Sequence, residues 1–265
     1  MLQRFYTLLF AFTLLFSATS ALNAADYSPV LKRIQERGEL VLGTSGNMPP
    51  MTRQLINGAV VGFDIDLAET MAGAMGVKLV VKVLPFDKLI PALQNDKVDV
   101  VISNMTMNPE RNMQVAFIGP YLTSGKCVIT KEESLAKADK AAKIDAEHKR
   151  IAVMKGSTSE TFANALMKNS KIIPVSDDEK GADLVASGKA DALLTEMPIC
   201  QAILNSHEKA GFVAINSNLT YEPIGIAISG KDALFINWTN NFLVRMNATG
   251  LLKILGQKWM GQSVE

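Results

Sequence analysis

The stretch VDVVISNMTMNPERNMQVAF, residues 98–117, begins as an apolar run and continues into a polar loop that carries Arg111. Its first part, VDVVIS, consists almost entirely of β-branched apolar residues, which favours a strand covered on both faces. Such strands belong to parallel sheets with crossover helices, and so to an α/β architecture. In open α/β sheets, ligands bind beyond the carboxyl ends of the strands. This stretch therefore predicts the fold class and a functional loop at residues 103–111.

Strands and helices alternate along the rest of the chain, and one pattern occurs twice. ELVLGTSGN, from Glu39, resembles KRIAVMKGSTSE, from Lys149, and QNDKVDVVISNMT, from Gln94, resembles VASGKADALLTEMP, from Val185. In each pair an apolar strand runs into a polar loop. Two lobes that face each other would form a cleft lined by four such loops: residues 44–51, 103–111, 155–160 and 195–198.

Two connecting segments predict how the chain divides into lobes. IGPYLTSG, residues 118–125, and NLTYEPIG, residues 218–225, are short Pro- and Gly-containing stretches that are typical of hinges. We therefore expect a discontinuous lobe 1, residues 25–120 and 225–265, and an inserted lobe 2, residues 125–220. A single larger doubly wound domain is the alternative.

The first 24 residues predict a cleaved signal peptide. A short basic start, MLQR, precedes the apolar run FYTLLFAFTLLF and the small residues of SATSALNAAD. We therefore expect an exported protein that is not embedded in a membrane. The formal net charge of +1 argues against nucleic acid as the main partner.

Cysteine and histidine usage restricts the chemistry further. Cys127 and Cys200 could form one disulfide or remain two buried thiols, and we predict that they are not bridged. His148 and His207 are too far apart in the chain to suggest a metal pair, so we expect neither a metal site nor a cofactor. The sequence also lacks a G-x-S-x-G elbow and a P-loop.

Arg111 suggests what the cleft binds. An arginine beyond a strand end offers a fork of donors that matches a carboxylate. The start of a helix in KGSTSE offers further N–H groups to an anion. Glu196, which follows ADALLT, is suited to an ammonium group. Together these groups predict a site for a zwitterion, that is, an amino acid. A surface ion pair between Arg111 and Glu110 is the alternative.

Successive motifs resemble those of family 3 extracellular solute-binding proteins, the periplasmic amino-acid receptors of ABC importers. The motifs are VVGFDIDLAETMA, FDKLIPALQNDKVDVVISNMTMNPERN, FIGPYLTSG, IAVMKGSTSE and ADALLTEMP. The resemblance implies a type II periplasmic-binding-protein fold, in which two hinge strands join two lobes and each lobe has a mostly parallel sheet flanked by helices. It also implies a monomer in the periplasm that delivers a free amino acid to a membrane permease.

The resemblance assigns expected roles to several residues. Arg111 matches the family's carboxylate-binding arginine, and Thr106 and the main chain around Asn104 match positions that contact the carboxylate and the ammonium. Thr158 and Ser159 match the lobe 2 loop that helps to hold the carboxylate.

Other positions depart from the family pattern. Glu196 stands where an aspartate usually binds the ammonium. Met48 and Met51 stand near the place of a stacking aromatic residue, while Phe86 matches another wall position. Ser45 stands where some members have a charged specificity residue, which argues against a basic ligand.

The sequence is also compatible with two further functions. Some proteins of this fold are cyclohexadienyl dehydratases that act on prephenate or arogenate. If this chain catalyses such a reaction, Glu196 could serve as the general acid. A ligand-sensing receptor domain would use the same cleft as a transport protein.

Overall fold

The structure is a computed structural model that describes residues 28–136, 144–215 and 220–261. The predicted signal peptide, residues 1–24, lies outside the described residues, as do residues 218 and 219 of the second predicted hinge.

Helices cover both faces of the sheets. The α-helices are α1 Pro29–Arg37, α2 Phe63–Met75, α3 Leu89–Gln94, α4 Pro109–Asn112, α5 Glu133–Ala136, α6 Thr158–Leu166, α7 Asp178–Ala186, α8 Met197–Ser206, α9 Ala233–Ala248 and α10 Leu251–Met260. Short 3-10 helices span Phe86–Lys88 and Glu208–Ala210.

The strands form two five-stranded sheets and one small sheet. They are β1 Glu39–Thr44, β2 Asn47–Met48, β3 Thr52–Gln54, β4 Val60–Val61, β5 Lys78–Val83, β6 Val100–Val101, β7 Ala116–Ser124, β8 Lys126–Thr130, β9 Arg150–Met154, β10 Lys171–Val175, β11 Ala192–Glu196, β12 Val213–Ile215 and β13 Glu222–Ile228. The predicted strand VDVVIS is confirmed as β6, although its regular pairing is short.

The two large sheets have equivalent orders, which confirms the two-lobed α/β fold. The orders are β5-β1-β6-β13-β7 in one lobe and β10-β9-β11-β8-β12 in the other, while β2, β3 and β4 form the small sheet. In each large sheet the first three strands are parallel, and the last two pair antiparallel with their neighbours. The parallel half needs crossover helices, and the alternation of strands and helices supplies them.

Capping residues explain where the first helix begins and ends. Ser28 caps α1 by accepting a hydrogen bond from the Leu31 N–H at 3.3 Å, and Gly38 ends the helix with a φ of 68°. In α2, Ile65 and Ala68 are buried in the core.

Two strands carry the chain between the lobes. β7 pairs antiparallel with β13, and the register shifts between Ile224 and Ile226. A Cβ atom on Gly225, at this shift, would lie 2.6 Å from Cγ of Met107, so a glycine permits the close packing there. The two strands that connect the lobes thus lie side by side, as expected for a hinge. The exact lobe boundaries stay a prediction.

The prediction of two free thiols is wrong. Cys127, on β8, and Cys200, on α8, form a disulfide, with their Cα atoms 6.2 Å apart. The two residues are 73 positions apart in sequence, so spacing gave no indication that α8 packs directly against β8. No helix of the described residues is long and apolar enough to cross a membrane.

Candidate functional site

A narrow cavity lies between the two lobes, and side chains from all four predicted loops line it. The lining residues are Met48, Phe86, Asn104, Thr106, Arg111, Met154, Ser157, Thr158, Ser159, Asp178, Thr195, Glu196 and Ile199. The cavity has a volume of about 10 Å³, which is close to the space that one water molecule needs. The lobes must therefore separate before a larger molecule can enter.

Arg111 is held rigidly at one side of the cavity. Asn108 caps the short helix α4 by accepting the Arg111 N–H at 2.8 Å, which fixes the backbone of the arginine. The guanidinium donates to the Thr106 carbonyl oxygen at 2.8 Å and lies 5.5 Å above the ring centre of Phe86. Burial lowers the pKa of Arg111 below its ordinary value, while Glu196 raises it. A guanidinium remains charged under all physiological conditions.

The same guanidinium also bridges the lobes. It donates to the Gly156 carbonyl oxygen at 3.0 Å. Gly156 has a φ of 76°, and a Cβ atom there would lie 2.9 Å from Cβ of Asp87 in the other lobe. Glycine therefore allows the two backbones to approach closely enough for this contact.

The start of α6 faces Arg111 from lobe 2. Ser157 caps the helix by accepting the Glu160 N–H at 3.2 Å, and the Gly156 N–H donates to the Glu160 carboxylate at 2.6 Å. The N–H groups of Thr158 and Ser159 belong to the first turn, where helices lack internal acceptors. This end of the helix favours negative charge.

A buried ion cluster contains Glu196, which lines the cavity, together with Lys126 and Glu222. Lys126 is fully buried, and its Nζ lies 3.2 Å from Oε1 of Glu196 and 3.3 Å from Oε1 of Glu222. The ammonium also donates to the Thr158 hydroxyl at 2.5 Å. Burial acts to raise the pKa of Glu222, but Lys126 and neighbouring hydroxyl groups outweigh it and lower the pKa. The cluster of one lysine and two glutamates carries a net charge of −1.

Asn104 links this cluster to lobe 1. Its Nδ2 donates to Oε2 of Glu196 at 2.8 Å, which leaves the side-chain oxygen Oδ1 without a hydrogen-bond partner among the described residues. Its backbone has a φ of 47°, a left-handed conformation that asparagine tolerates. Asp64 holds this conformation by accepting the Asn104 N–H at 2.7 Å. The site thus presents an unpaired, buried acceptor next to a carboxylate.

Asp64 itself is fully buried at the start of α2. It accepts the Tyr121 hydroxyl at 2.8 Å in addition to the Asn104 N–H. Burial raises the pKa of Asp64 to about 7, although both hydrogen bonds act to lower it.

Eight of the ten predicted site residues line the cavity, and two do not. Ser45 does not line the cavity. Its N–H donates to Oγ of Ser103 at 3.0 Å, and its side chain is buried beside that residue. Met51 is fully buried in the core of lobe 1. Ser45 is therefore no argument against a basic ligand, which corrects the expectation from the sequence.

Sequence reasoning missed Lys126, Glu222 and Asp178. Lys126 could have been noticed as a single charge at the start of the apolar run CVIT. Glu222 lies in the predicted hinge, and Asp178 looks like an ordinary acidic residue in the first turn of a helix. No local signal distinguishes the last two from solvent-exposed carboxylates.

The comparison with protein families gives one match. Residues 40–262 match the model of the bacterial extracellular solute-binding proteins, family 3. This range includes every residue that lines the cavity and all strands of both large sheets, apart from Glu39 at the start of β1.

Individual proteins point to two activities. The chain is 29% identical to a cyclohexadienyl dehydratase of Pseudomonas aeruginosa, over 92% of this chain and 90% of that protein. It is 34% identical to the crystal structure of an ancestral amino acid-binding protein that is a precursor of cyclohexadienyl dehydratase, with a TM-score of 0.79 over 86% of this chain and 98% of the other. It is 35% identical to the binding component of an ABC transporter from Wolinella succinogenes complexed with lysine, with a TM-score of 0.79 over 84% of this chain and 96% of the other.

Proposed function

This chain belongs to family 3 of the bacterial extracellular solute-binding proteins, and we propose that it binds one free α-amino acid between its lobes. The observation that carries the proposal is the arrangement of opposite charges in one buried cavity. Arg111 and Glu196 both line this cavity, and Glu196 belongs to the buried cluster with Lys126 and Glu222. A molecule with one carboxylate and one ammonium group matches this arrangement.

The α-carboxylate is proposed to bind Arg111. Only two of the five guanidinium N–H groups are used by the carbonyl oxygens of Thr106 and Gly156, so donors remain for a bidentate contact. The first-turn N–H groups of Thr158 and Ser159 would complete the carboxylate's hydrogen bonds.

The α-ammonium is proposed to bind Glu196 and the Oδ1 atom of Asn104. Lys126 neutralises only one of the two glutamates, so the cluster retains one negative charge for the ligand. The Oδ1 atom is a buried acceptor that gains a partner when an N–H donor arrives. With Arg111 included, the site has no net charge, and a zwitterion leaves this balance unchanged.

Closure of the lobes uses the same residues. Asn104 and Thr106, from lobe 1, donate to the Glu196 carboxylate of lobe 2 at 2.8 and 3.4 Å. Arg111 reaches the Gly156 carbonyl oxygen across the same gap. A ligand that bridges Arg111 and Glu196 would therefore stabilise the closed form.

The cellular setting follows from the family and the sequence. We propose that residues 1–24 direct export to the periplasm, and that the monomeric binding protein delivers its ligand to the permease of an ABC transporter. Residues 25–120 with 225–265 form lobe 1 in this proposal, and residues 125–220 form lobe 2.

Calorimetry with the standard amino acids tests the proposal. At least one should bind at a ratio of one per chain and raise the melting temperature, because a ligand of the folded state stabilises it by RT ln(1 + [L]/Kd). The absence of binding by every amino acid at millimolar concentration would refute it. Small-angle scattering should show a more compact particle with the ligand than without it.

A dehydratase is the second candidate, and the position of Glu196 favours it. This carboxyl group lines the cavity opposite a carboxylate-binding arginine, where it could protonate a hydroxyl group that leaves as water. Incubation with prephenate, followed by the absorbance of an aromatic product, tests this reaction. The Glu196→Gln variant is the matched control, because an amide cannot act as a general acid.

A further inference from the structure

Asp178 is a buried carboxyl group in the cavity that the proposed contacts do not use. It is the first residue of α7, is 3% exposed, and lies beside Thr195 and Glu196 in the wall of lobe 2. The capping of α7 does not explain it, because the preceding residue, Asp177, accepts the Lys180 N–H at 2.9 Å. Asp178 therefore does not cap α7, although its position in the first turn suits a carboxylate because the helix dipole favours negative charge there.

No cation of the described residues forms an ion pair with Asp178. Lys126 is the nearest basic group that influences it, but its ammonium lies between Glu196 and Glu222. The other charged groups that act on Asp178 are Glu196 and Asp177, and both are acidic. A buried carboxylate without a cation is costly, so such a residue calls for an explanation.

The protonation of Asp178 reflects these surroundings. Burial raises its pKa to about 7, a hydrogen bond with Thr195 lowers it, and Glu196 raises it. The carboxyl group is therefore about half protonated at neutral pH. A cation placed beside it would favour the ionised form.

The neighbouring wall is suited to a long aliphatic stem. Phe86, Met154 and Ile199 line the cavity and are almost fully buried. The unpaired Oδ1 atom of Asn104, assigned above to the α-ammonium, lies in the same cavity and indicates a ligand with N–H donors. Apolar walls with a carboxyl group among them match methylene groups that end in a cation.

We propose that Asp178 binds the cationic tip of the ligand's side chain, so that the protein selects basic amino acids such as arginine and lysine. This inference rests on the proposed function, because Arg111 and Glu196 must hold the α-carboxylate and α-ammonium for the side chain to reach Asp178. An ionised Asp178 adds one negative charge, which balances the positive charge of the ligand's side chain, so the closed site stays neutral.

Arginine and citrulline form a matched pair for the test. They have the same length and nearly the same shape, but the guanidinium of arginine is charged and the ureido group of citrulline is not. In titration calorimetry at pH 7, the wild-type protein should bind arginine at least about tenfold more tightly than citrulline. Asp178→Asn should weaken arginine binding by about tenfold or more, and by a clearly larger factor than it weakens citrulline binding.

Proton release gives a second readout that needs no variant. Titration in two buffers of different ionisation enthalpy should show about half a proton released at pH 7 when arginine binds, and none with citrulline. Arginine affinity should rise about tenfold between pH 6 and pH 8, because the ionised fraction of a group with a pKa of about 7 rises by that factor. Citrulline controls for other groups that titrate in this range.

The outcomes separate the two proposals. Equal affinity for arginine and citrulline in the wild type, or an unchanged preference in Asp178→Asn, would overturn the role of Asp178 while leaving amino-acid binding in place. An equal loss of both ligands in Asp178→Asn would make Asp178 a structural residue and also overturn it. If no amino acid of any kind binds the wild type, the proposed function itself fails.

Discussion

Replacing Arg111 with alanine should weaken ligand binding far more than it weakens the fold. The variant loses the bidentate contact to the ligand's carboxylate, and truncating one partner of a buried charged contact typically costs about 2–5 kcal/mol. It also loses the hydrogen bond to the Gly156 carbonyl oxygen at 3.0 Å, which only the closed form makes. Hydrogen bonds from charged groups contribute about 1.5–3 kcal/mol each. Even the lower bound of 2 kcal/mol corresponds to a loss of about 30-fold in affinity.

Calorimetry with the best-bound amino acid measures this loss. Arg245→Ala is the matched control, since Arg245 is an exposed arginine on α9, far from the cavity in sequence and outside its lining. Arg111→Lys should also bind at least about tenfold more weakly, because an ammonium cannot reproduce the fork. Wild-type affinity in Arg111→Ala would place the ligand elsewhere. A variant that fails to fold by circular dichroism would instead make Arg111 a structural ion-pairing residue.

Three further changes test the remaining features. Lys126→Met leaves Glu196 and Glu222 buried without their cation, so chemical denaturation should show a loss of about 3–5 kcal/mol in the free energy of unfolding; an unchanged value would mean that the ion cluster does not stabilise the fold. Reduction of the disulfide should lower that free energy by about 2–5 kcal/mol, and alkylation without reductant should label no cysteine of the exported protein. Burial raises the pKa of Asp64 from 3.8 to about 7, so its contribution to stability is complete below pH 3.8 and is lost as the pH rises through 7. Denaturation at pH 5.5 and pH 8 should therefore show a smaller pH dependence in Asp64→Asn than in the wild type.

The sequence predicts those parts of the fold that local patterns determine. Ser28, Pro29 and Gly38 set the bounds of α1, and the β-branched run at Val100 indicates a strand covered on both faces. The four polar loops could be placed at the cleft because strand ends in an α/β sheet share one edge. Arg111 stands out as a charged residue in the polar loop that follows β6, and Glu196 as a charged residue at the end of β11.

Long-range contacts are what the sequence does not reveal. Lys126 and Glu222 are far apart in the chain. They come together because Glu222 pairs with Ser124 at the end of β7, and β8 begins two residues later at Lys126. The disulfide depends on how α8 lies across β8, which side-chain spacing does not encode. The position of Ser45 in a polar loop likewise gives no sign that its N–H donates to Ser103.

The disulfide has a practical consequence for thiol chemistry. The chain contains two cysteines, and both are in this bond, so the oxidised protein offers no native thiol to a maleimide reagent. A cysteine introduced at Ile56, which is fully exposed between β3 and β4 of lobe 1, would provide a reactive thiol at a chosen site. With a second introduced cysteine at exposed Leu166 in lobe 2, the two sites would carry a pair of fluorophores whose separation reports the closing of the lobes.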